Sequence, residues 1–178
     1  FEARRQRQMC IRDRSKSSVF LIGMMGAGKS TVSRCLAKAL NYQFLDTDQL
    51  IERKENRTIE AIFKESGESY FRNIERDIIN QFDNKTCIYS TGGGLPIYNR
   101  NIDKLKDIGQ VIYLKTSISE LLNNRIKNNS TRPMFEDAIS FKNLLKQREP
   151  IYLEADFVVT TDSKTPKDIA SEISLLIE

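Results

Sequence analysis

The stretch "GMMGAGKS", Gly23 to Ser30, follows the apolar run "VFLI" and opens a segment patterned as a helix. It satisfies G-x-x-x-x-G-K-[ST] between a predicted strand and a predicted helix, the setting in which that pattern cradles phosphate. Its glycines let the backbone wrap closely around an anion, while amide N–H groups and the helix N-terminus direct positive partial charge at it. In such a loop Lys29 pairs with the β- and γ-phosphates of a nucleotide and the Ser30 hydroxyl binds Mg²⁺. GTPases, ATP-driven motors and small-molecule kinases all use the pattern, so it specifies a nucleotide and no reaction.

Residues that could receive the phosphate are written later in the chain. "FLDTDQL" sets Asp46 and Asp48 two apart after a predicted strand, where extended chain would point both to one side. Asp46 could hold metal-bound water and Asp48 could accept a hydrogen bond from an attacking hydroxyl; the competing reading makes Asp48 the N-cap of "QLIERK". Arg72 follows the core-facing Phe71 in the first turns of a helix, with Glu68 and Arg76 nearby. Arg148 lies three and four residues after Leu145 and Leu144 and so continues an apolar face. An arginine there is costly unless paired, and its planar fork pairs best with carboxylate or phosphate. Gly92, Gly93 and Gly94 come straight after the apolar run "CIY". Three glycines at the carboxyl end of a sheet strand allow a ligand to approach the backbone closely.

The chain contains no histidine. Proton transfer therefore falls to Asp, Glu, Lys, Cys or Tyr, and a Ser-His or Cys-His nucleophile is excluded. Cys10, Cys35 and Cys87 form no CxxC pair, which argues against a zinc site or a disulfide framework and for a reducing compartment. The net charge of +4 resides in residues 1–18, with six Lys/Arg against two acids, leaving 22 of each sign in the remainder. A neutral body argues against a nucleic-acid-binding face. No apolar run approaches the roughly 18 residues of a membrane span.

These groups need a scaffold, and its rhythm is legible. Short apolar runs at Val19–Ile22, Gln43–Leu45, Thr86–Tyr89, Gln110–Tyr113 and Phe157–Val159 alternate with helical stretches, which predicts βαβ units, a parallel sheet and an α/β fold. Val32, Cys35, Leu36, Ala39 and Leu40 form one helical stripe, Phe71, Ile74, Ile78 and Phe82 a second, and Ile169, Ile173, Leu176 and Ile177 a third. At 178 residues one domain is expected, over 18–178, with residues 1–17 a disordered or adventitious basic tail. The polar segment "KNNSTRPMFEDA", about 127–138, is expected to be a mobile lid.

As a set, "GMMGAGKS", "DTD", "FKESGESYFRNIE", "STGGG", "STRPMF" and "KQREPIY" resemble the shikimate kinase family in order and spacing, from about Val19 onward. The resemblance implies a small P-loop kinase with a nucleoside-monophosphate-kinase-like, three-layer α/β/α fold and a five-stranded parallel sheet in the order 2-3-1-4-5. It implies ATP and Mg²⁺ as cofactors, shikimate as the small-molecule acceptor, and a cytoplasmic monomer (plastid-targeted only if the tail is a transit remnant). The ATP-binding residues would be Gly26, Ala27, Gly28, Lys29, Ser30 and Thr31, with Arg125 and Pro166 flanking the adenine. The acceptor-binding residues would be Asp48, Arg72, Gly92, Gly93, Gly94 and Arg148. Ser30 would bind Mg²⁺ directly and Asp46 and Ser90 through water. Catalysis would rest on Lys29, Asp48 and the lid residue Arg132, with Asp48 acting either as base or as orienter. Met24 and Met25 replace smaller loop residues, and "RPMFEDAIS" departs from the family's leucine-rich continuation after RP. The rival readings are another small-molecule P-loop kinase, such as a gluconate kinase, and a non-catalytic relative that binds without transferring phosphate.

Overall fold

The computed structural model describes residues 18–83, 86–127 and 138–177, with 125–127 seen only as a continuation of helix. Five strands, β1 (Ser18–Ile22), β2 (Gln43–Asp46), β3 (Cys87–Ser90), β4 (Gly109–Lys115) and β5 (Phe157–Thr160), form one parallel sheet in the order β2-β3-β1-β4-β5. Each predicted strand is present, extended by a residue or two at one or both ends or, for β3, shifted by one. β1 lies at the centre, paired with β3 (Phe20 opposite Tyr89) and with β4 (Phe20 opposite Val111). All five of its residues are buried, which is why "SVFLI" reads as a continuous apolar run and lacks alternation.

Among the described residues the helices are α1 (Lys29–Leu40), α2 (Thr47–Glu55), α3 (Ile59–Ile79), α4 (Asn101–Ile108), α5 (Ile118–Lys127), α6 (Ala138–Tyr152) and α7 (Pro166–Ile177). They give the three-layer α/β/α arrangement, with α1 packed on α7 and α4 on β4. Residues that tolerate left-handed backbone close two of them: Asn41 (φ 56°) ends α1 and Asn56 (φ 52°) ends α2. α3 starts at Thr58, whose hydroxyl accepts from the Ala61 amide at 3.2 Å, and is broken at Gly67 (φ 79°, ψ 172°). Arg72 therefore stands in the first turns of the second half of α3.

The main core gathers both faces of the sheet, and a smaller apolar cluster of Ile51, Ile62, Phe71, Ile74 and Ile78 ties α2 to α3. Two predicted stripes are narrower than expected. Ala39 is exposed while Ser33 and Ala37 face inward, and Leu176 is exposed beside Leu175. Phe82 belongs to its cluster from beyond the end of α3. Arg132 and most of the expected lid, like residues 1–17, lie outside the described residues. No helix among the described residues is long and apolar enough to cross a membrane.

Candidate active site

The carboxyl ends of β1, β2 and β3 meet at the phosphate loop. Gly23 has φ 140°, and a Cβ there would lie 2.8 Å from the Leu114 carbonyl oxygen, so glycine is required by both conformation and space. Gly26 (φ 89°) and Gly28 (φ 81°) turn the loop into α1. Lys29 donates from Nζ to the carbonyl oxygens of Gly23 and Met24, each at 2.8 Å. Asn124 on α5 donates to the Gly26 carbonyl at 3.0 Å and so ties that helix to the loop; spacing along the sequence carries no signal for this bond.

Ser30, Asp46 and Ser90 arrive from α1, β2 and β3. The Ser30 hydroxyl donates to Asp46 Oδ2 at 2.7 Å and lies 3.0 Å from the Ser90 hydroxyl. The other oxygen of Asp46 accepts from the amides of Asp48 (3.0 Å) and Gln49 (3.3 Å). Asp46, and not Asp48, is thus the N-cap of α2. Asp48 stands in the first helical turn, so the two acids converge by capping geometry instead of by strand alternation. Among the described residues no three His, Cys, Asp or Glu side chains gather as a metal cage. The oxygen-only set at Ser30 fits a hard cation such as Mg²⁺, which keeps several waters and shares phosphate oxygens.

Two clefts open here. One, about 420 Å³, runs over the phosphate loop and is bounded by Lys29, Thr31, Asn124 and Pro166. The other, about 440 Å³, reaches between α2, α3 and the three glycines and is bounded by Arg72, Glu75 and Arg148. Ser30, Asp46, Asp48 and Gly93 border both, so these residues mark where the contents of the two clefts would touch.

Each glycine after β3 faces a different candidate side chain. A Cβ at Gly92 would lie 2.5 Å from Asp48 Oδ1, one at Gly93 3.3 Å from Arg148 Nη1, and one at Gly94 2.6 Å from Arg72 Nη1. The wall is held from behind by residues that stand inside the motifs "DTD" and "KQREPIY" but receive no role from sequence reasoning. Thr47 Oγ1 accepts from the Gly92 amide at 2.9 Å, and the Tyr152 hydroxyl donates to the Gly93 carbonyl at 2.7 Å. Burial pushes the Tyr152 phenol up to about 12, so it remains a donor. Tyr152 lies one turn beyond Arg148 on α6, and both are buried.

The two arginines differ in how they are held. Arg72 donates from Nη1 to Glu75 (2.7 Å) and from Nη2 and Nε to Glu68 (2.9 and 3.2 Å). The Tyr98 hydroxyl and then Arg72 hold Glu68 below the usual carboxylate range. Arg148 is only 4 % exposed, and its buried Nη1 has no hydrogen-bond partner among the described residues. A buried guanidinium N–H left open beside a polar cavity is suited to an incoming anion.

Glu75 closes the quoted stretch "FKESGESYFRNIE" but receives no role from the motif reading: it is an acid at i+3 from Arg72, inside the Phe71–Ile74–Ile78 stripe. It is 1 % exposed. Burial pushes its carboxyl up to about 7, against the pull of Arg72 and with a further push from Asp48. A carboxyl raised from 4.5 in this way favours folding when protonated. Its contribution, on the order of 3 kcal/mol, is complete below about pH 4.5 and is lost as pH rises through about 7. Glu75→Gln is expected to flatten that part of the stability profile, read as melting temperature of the ligand-free protein between about pH 5 and about pH 8. A variant with the parent's slope would contradict the assignment.

Pro166 and Asn124 border the nucleotide-side cleft. Arg125 follows Asn124 on α5, its side chain outside the described residues, as is Arg132.

A family model described as shikimate kinase matches residues 25–178. A shikimate kinase of Persephonella marina is 41 % identical over 158 residues, covering 88 % of this chain and 96 % of that protein. The solved shikimate kinase of Acinetobacter baumannii, in complex with shikimate, superposes with a TM-score of 0.86 at 36 % identity, covering 92 % of this chain and 94 % of that one. A gluconokinase of Sinorhizobium meliloti 1021 matches at a TM-score of 0.57 and 17 % identity over 92 % of this chain and 93 % of that one, a likeness of fold alone.

Proposed function

Since the chain belongs to the shikimate kinase family, we propose that it transfers the γ-phosphoryl group of ATP to the 3-hydroxyl of shikimate, giving 3-phosphoshikimate and ADP. The observation that carries this reading is the meeting of a phosphate-loop cleft with a cavity walled by two arginines and three glycines, across Ser30, Asp46 and Asp48. Shikimate is an anionic carbocycle with three hydroxyls. It calls for a carboxylate clamp, a hydroxyl acceptor and close backbone, and Arg72 with Arg148, Asp48, and Gly92–Gly94 are the matching groups.

In the proposed reaction the acceptor hydroxyl oxygen forms a bond to the γ-phosphorus and the bond from that phosphorus to the bridging oxygen of ADP breaks. Asp48, at the junction, orients the hydroxyl or takes its proton. Lys29 exchanges the loop carbonyls for phosphate oxygens, and Arg132, outside the described residues, would contact the transferring group. Mg²⁺, held by Ser30 directly and by Asp46 and Ser90 through water, would neutralise charge on the phosphates. Arg125 and Pro166 would flank the adenine. Positioning and charge stabilisation supply most of the acceleration in such transfers. The same reading takes 18–178 as one kinase domain acting as a cytoplasmic monomer.

An ADP-release assay with a panel of acceptors tests the proposal. Shikimate-dependent turnover is expected, and faster turnover of gluconate would overturn the acceptor assignment. Measurable shikimate binding with no ADP release would make the chain a non-catalytic relative.

A further inference from the structure

The glycine wall is followed by a turn with two consecutive left-handed residues, Asn99 (φ 53°, ψ 27°) and Arg100 (φ 53°, ψ 38°). An arginine takes that conformation only at a cost, and here it is pinned. Arg100 pairs with Asp103 in α4, the helix it caps, and with Glu154 just beyond α6, at 2.8–3.0 Å. The residue that enters the turn, Tyr98, lies with its ring centroid 3.6 Å from the Arg72 guanidinium carbon, and its hydroxyl helps to hold the Glu68 carboxyl low. Glu68 is also the partner of Arg72 Nε and Nη2.

A guanidinium has five N–H donors in one plane. Among the described residues three of those of Arg72 are engaged, two by Glu68 and one by Glu75, which leaves one on each terminal nitrogen. An aromatic ring against the face of the plane leaves all of its edges open and fixes the tilt. We propose that Tyr98 is a positioning residue for the acceptor clamp: its ring, set by the pinned turn at Asn99–Arg100, holds the two remaining N–H groups of Arg72 ready for the acceptor's carboxylate. The inference rests on the function proposed above. It concerns a contact that neither the phosphate loop nor the acidic residues require.

The test compares the parent protein with Tyr98→Leu and Tyr98→Phe, in turnover assays and in ¹H–¹⁵N spectra of the arginine side chains. Tyr98→Leu is expected to raise the acceptor KM by roughly 3- to 10-fold, the scale of a partly desolvated cation–π contact, with kcat and the KM for ATP unchanged. Tyr98→Phe keeps the ring and restores most of the loss. In an Arg72→Lys background Tyr98→Leu adds much less. The Arg72 Nε–H resonance, assigned by its disappearance in Arg72→Lys, moves downfield in Tyr98→Leu as the ring current is removed. An unmoved resonance overturns the proposal, as does a moved one with an unchanged acceptor KM. Equal losses in kcat and both KM values, with a fall in melting temperature, would make Tyr98 a structural residue and overturn it too. Absence of shikimate turnover in the parent would instead defeat the proposed function. The spectra then decide whether Tyr98 sets Arg72, and an alternative anionic acceptor such as gluconate replaces shikimate in the KM comparison.

Discussion

Replacing Arg148 with alanine is expected to weaken acceptor binding by roughly 2–5 kcal/mol, the cost of truncating one partner of a buried charge pair, and to leave ATP affinity nearly unchanged. The asymmetry follows from position. Arg148 borders the cavity between α2, α3 and the glycines, and it is absent from the boundary of the phosphate-loop cleft. Its buried Nη1, without a partner among the described residues, is a desolvated donor that the fold maintains at a cost, and an acceptor carboxylate would offset that cost on binding. Without acceptor, the melting temperature of Arg148→Ala is therefore expected to hold or rise. Titration of the acceptor and of ATP into parent and variant, with a thermal melt of each, checks both statements. Equal losses for the two substrates would place Arg148 in general scaffolding.

The contrast between Arg148 and Arg72 also shows which parts of the site were legible in the sequence. The phosphate loop could be read directly because its function depends on backbone shape within eight consecutive residues. The sheet could be read because buried parallel strands are short apolar runs, and Arg148 because an arginine on an apolar helical face demands an anion. Glu75 was half legible, since its i+3 spacing from Arg72 is local. Its burial depends on α2 closing over α3 through the small Ile51–Phe71 cluster, which no local pattern reports. Thr47, Asn124 and Tyr152 act on backbone atoms 45, 98 and 59 residues away in the chain, a distance over which spacing along the sequence is uninformative.

Asp46 and Asp48 illustrate a subtler gap. Extended chain after the strand, the setting in which period two would turn both acids to one side, is one of the two readings of "DTD", but the helix begins one residue after β2 ends. The capping preference of aspartate then acts at Asp46, where the backbone amides of Asp48 and Gln49 are available. One carboxylate oxygen is used for the cap and the other faces Ser30. The residue thus joins folding to the site: losing it would uncap α2 and disturb the serine pair together. The helix stripes erred in the opposite direction. Ala39 and Leu176 fit their periods, yet exposure at a helix edge depends on how far the neighbouring layer extends.

Lys29→Ala is expected to lower kcat by roughly 10²- to 10³-fold, the range for removing one preorganised donor at a centre of developing charge, with a much smaller effect on acceptor affinity. In the ligand-free protein the ammonium is buried, and it donates to the Gly23 and Met24 carbonyls. These bonds hold it at the mouth of the loop, so little reorganisation separates this arrangement from one in which it faces β- and γ-phosphate oxygens. Alanine removes the charge and strands two carbonyl oxygens, and water can reach them because the loop borders an open cleft. The fold should accordingly survive. Single-turnover measurement at saturating ATP separates the chemical step from nucleotide binding. A normal single-turnover rate with only a raised KM for ATP would mean that Lys29 anchors the nucleotide in ground and transition state alike, and would remove it from the catalytic set.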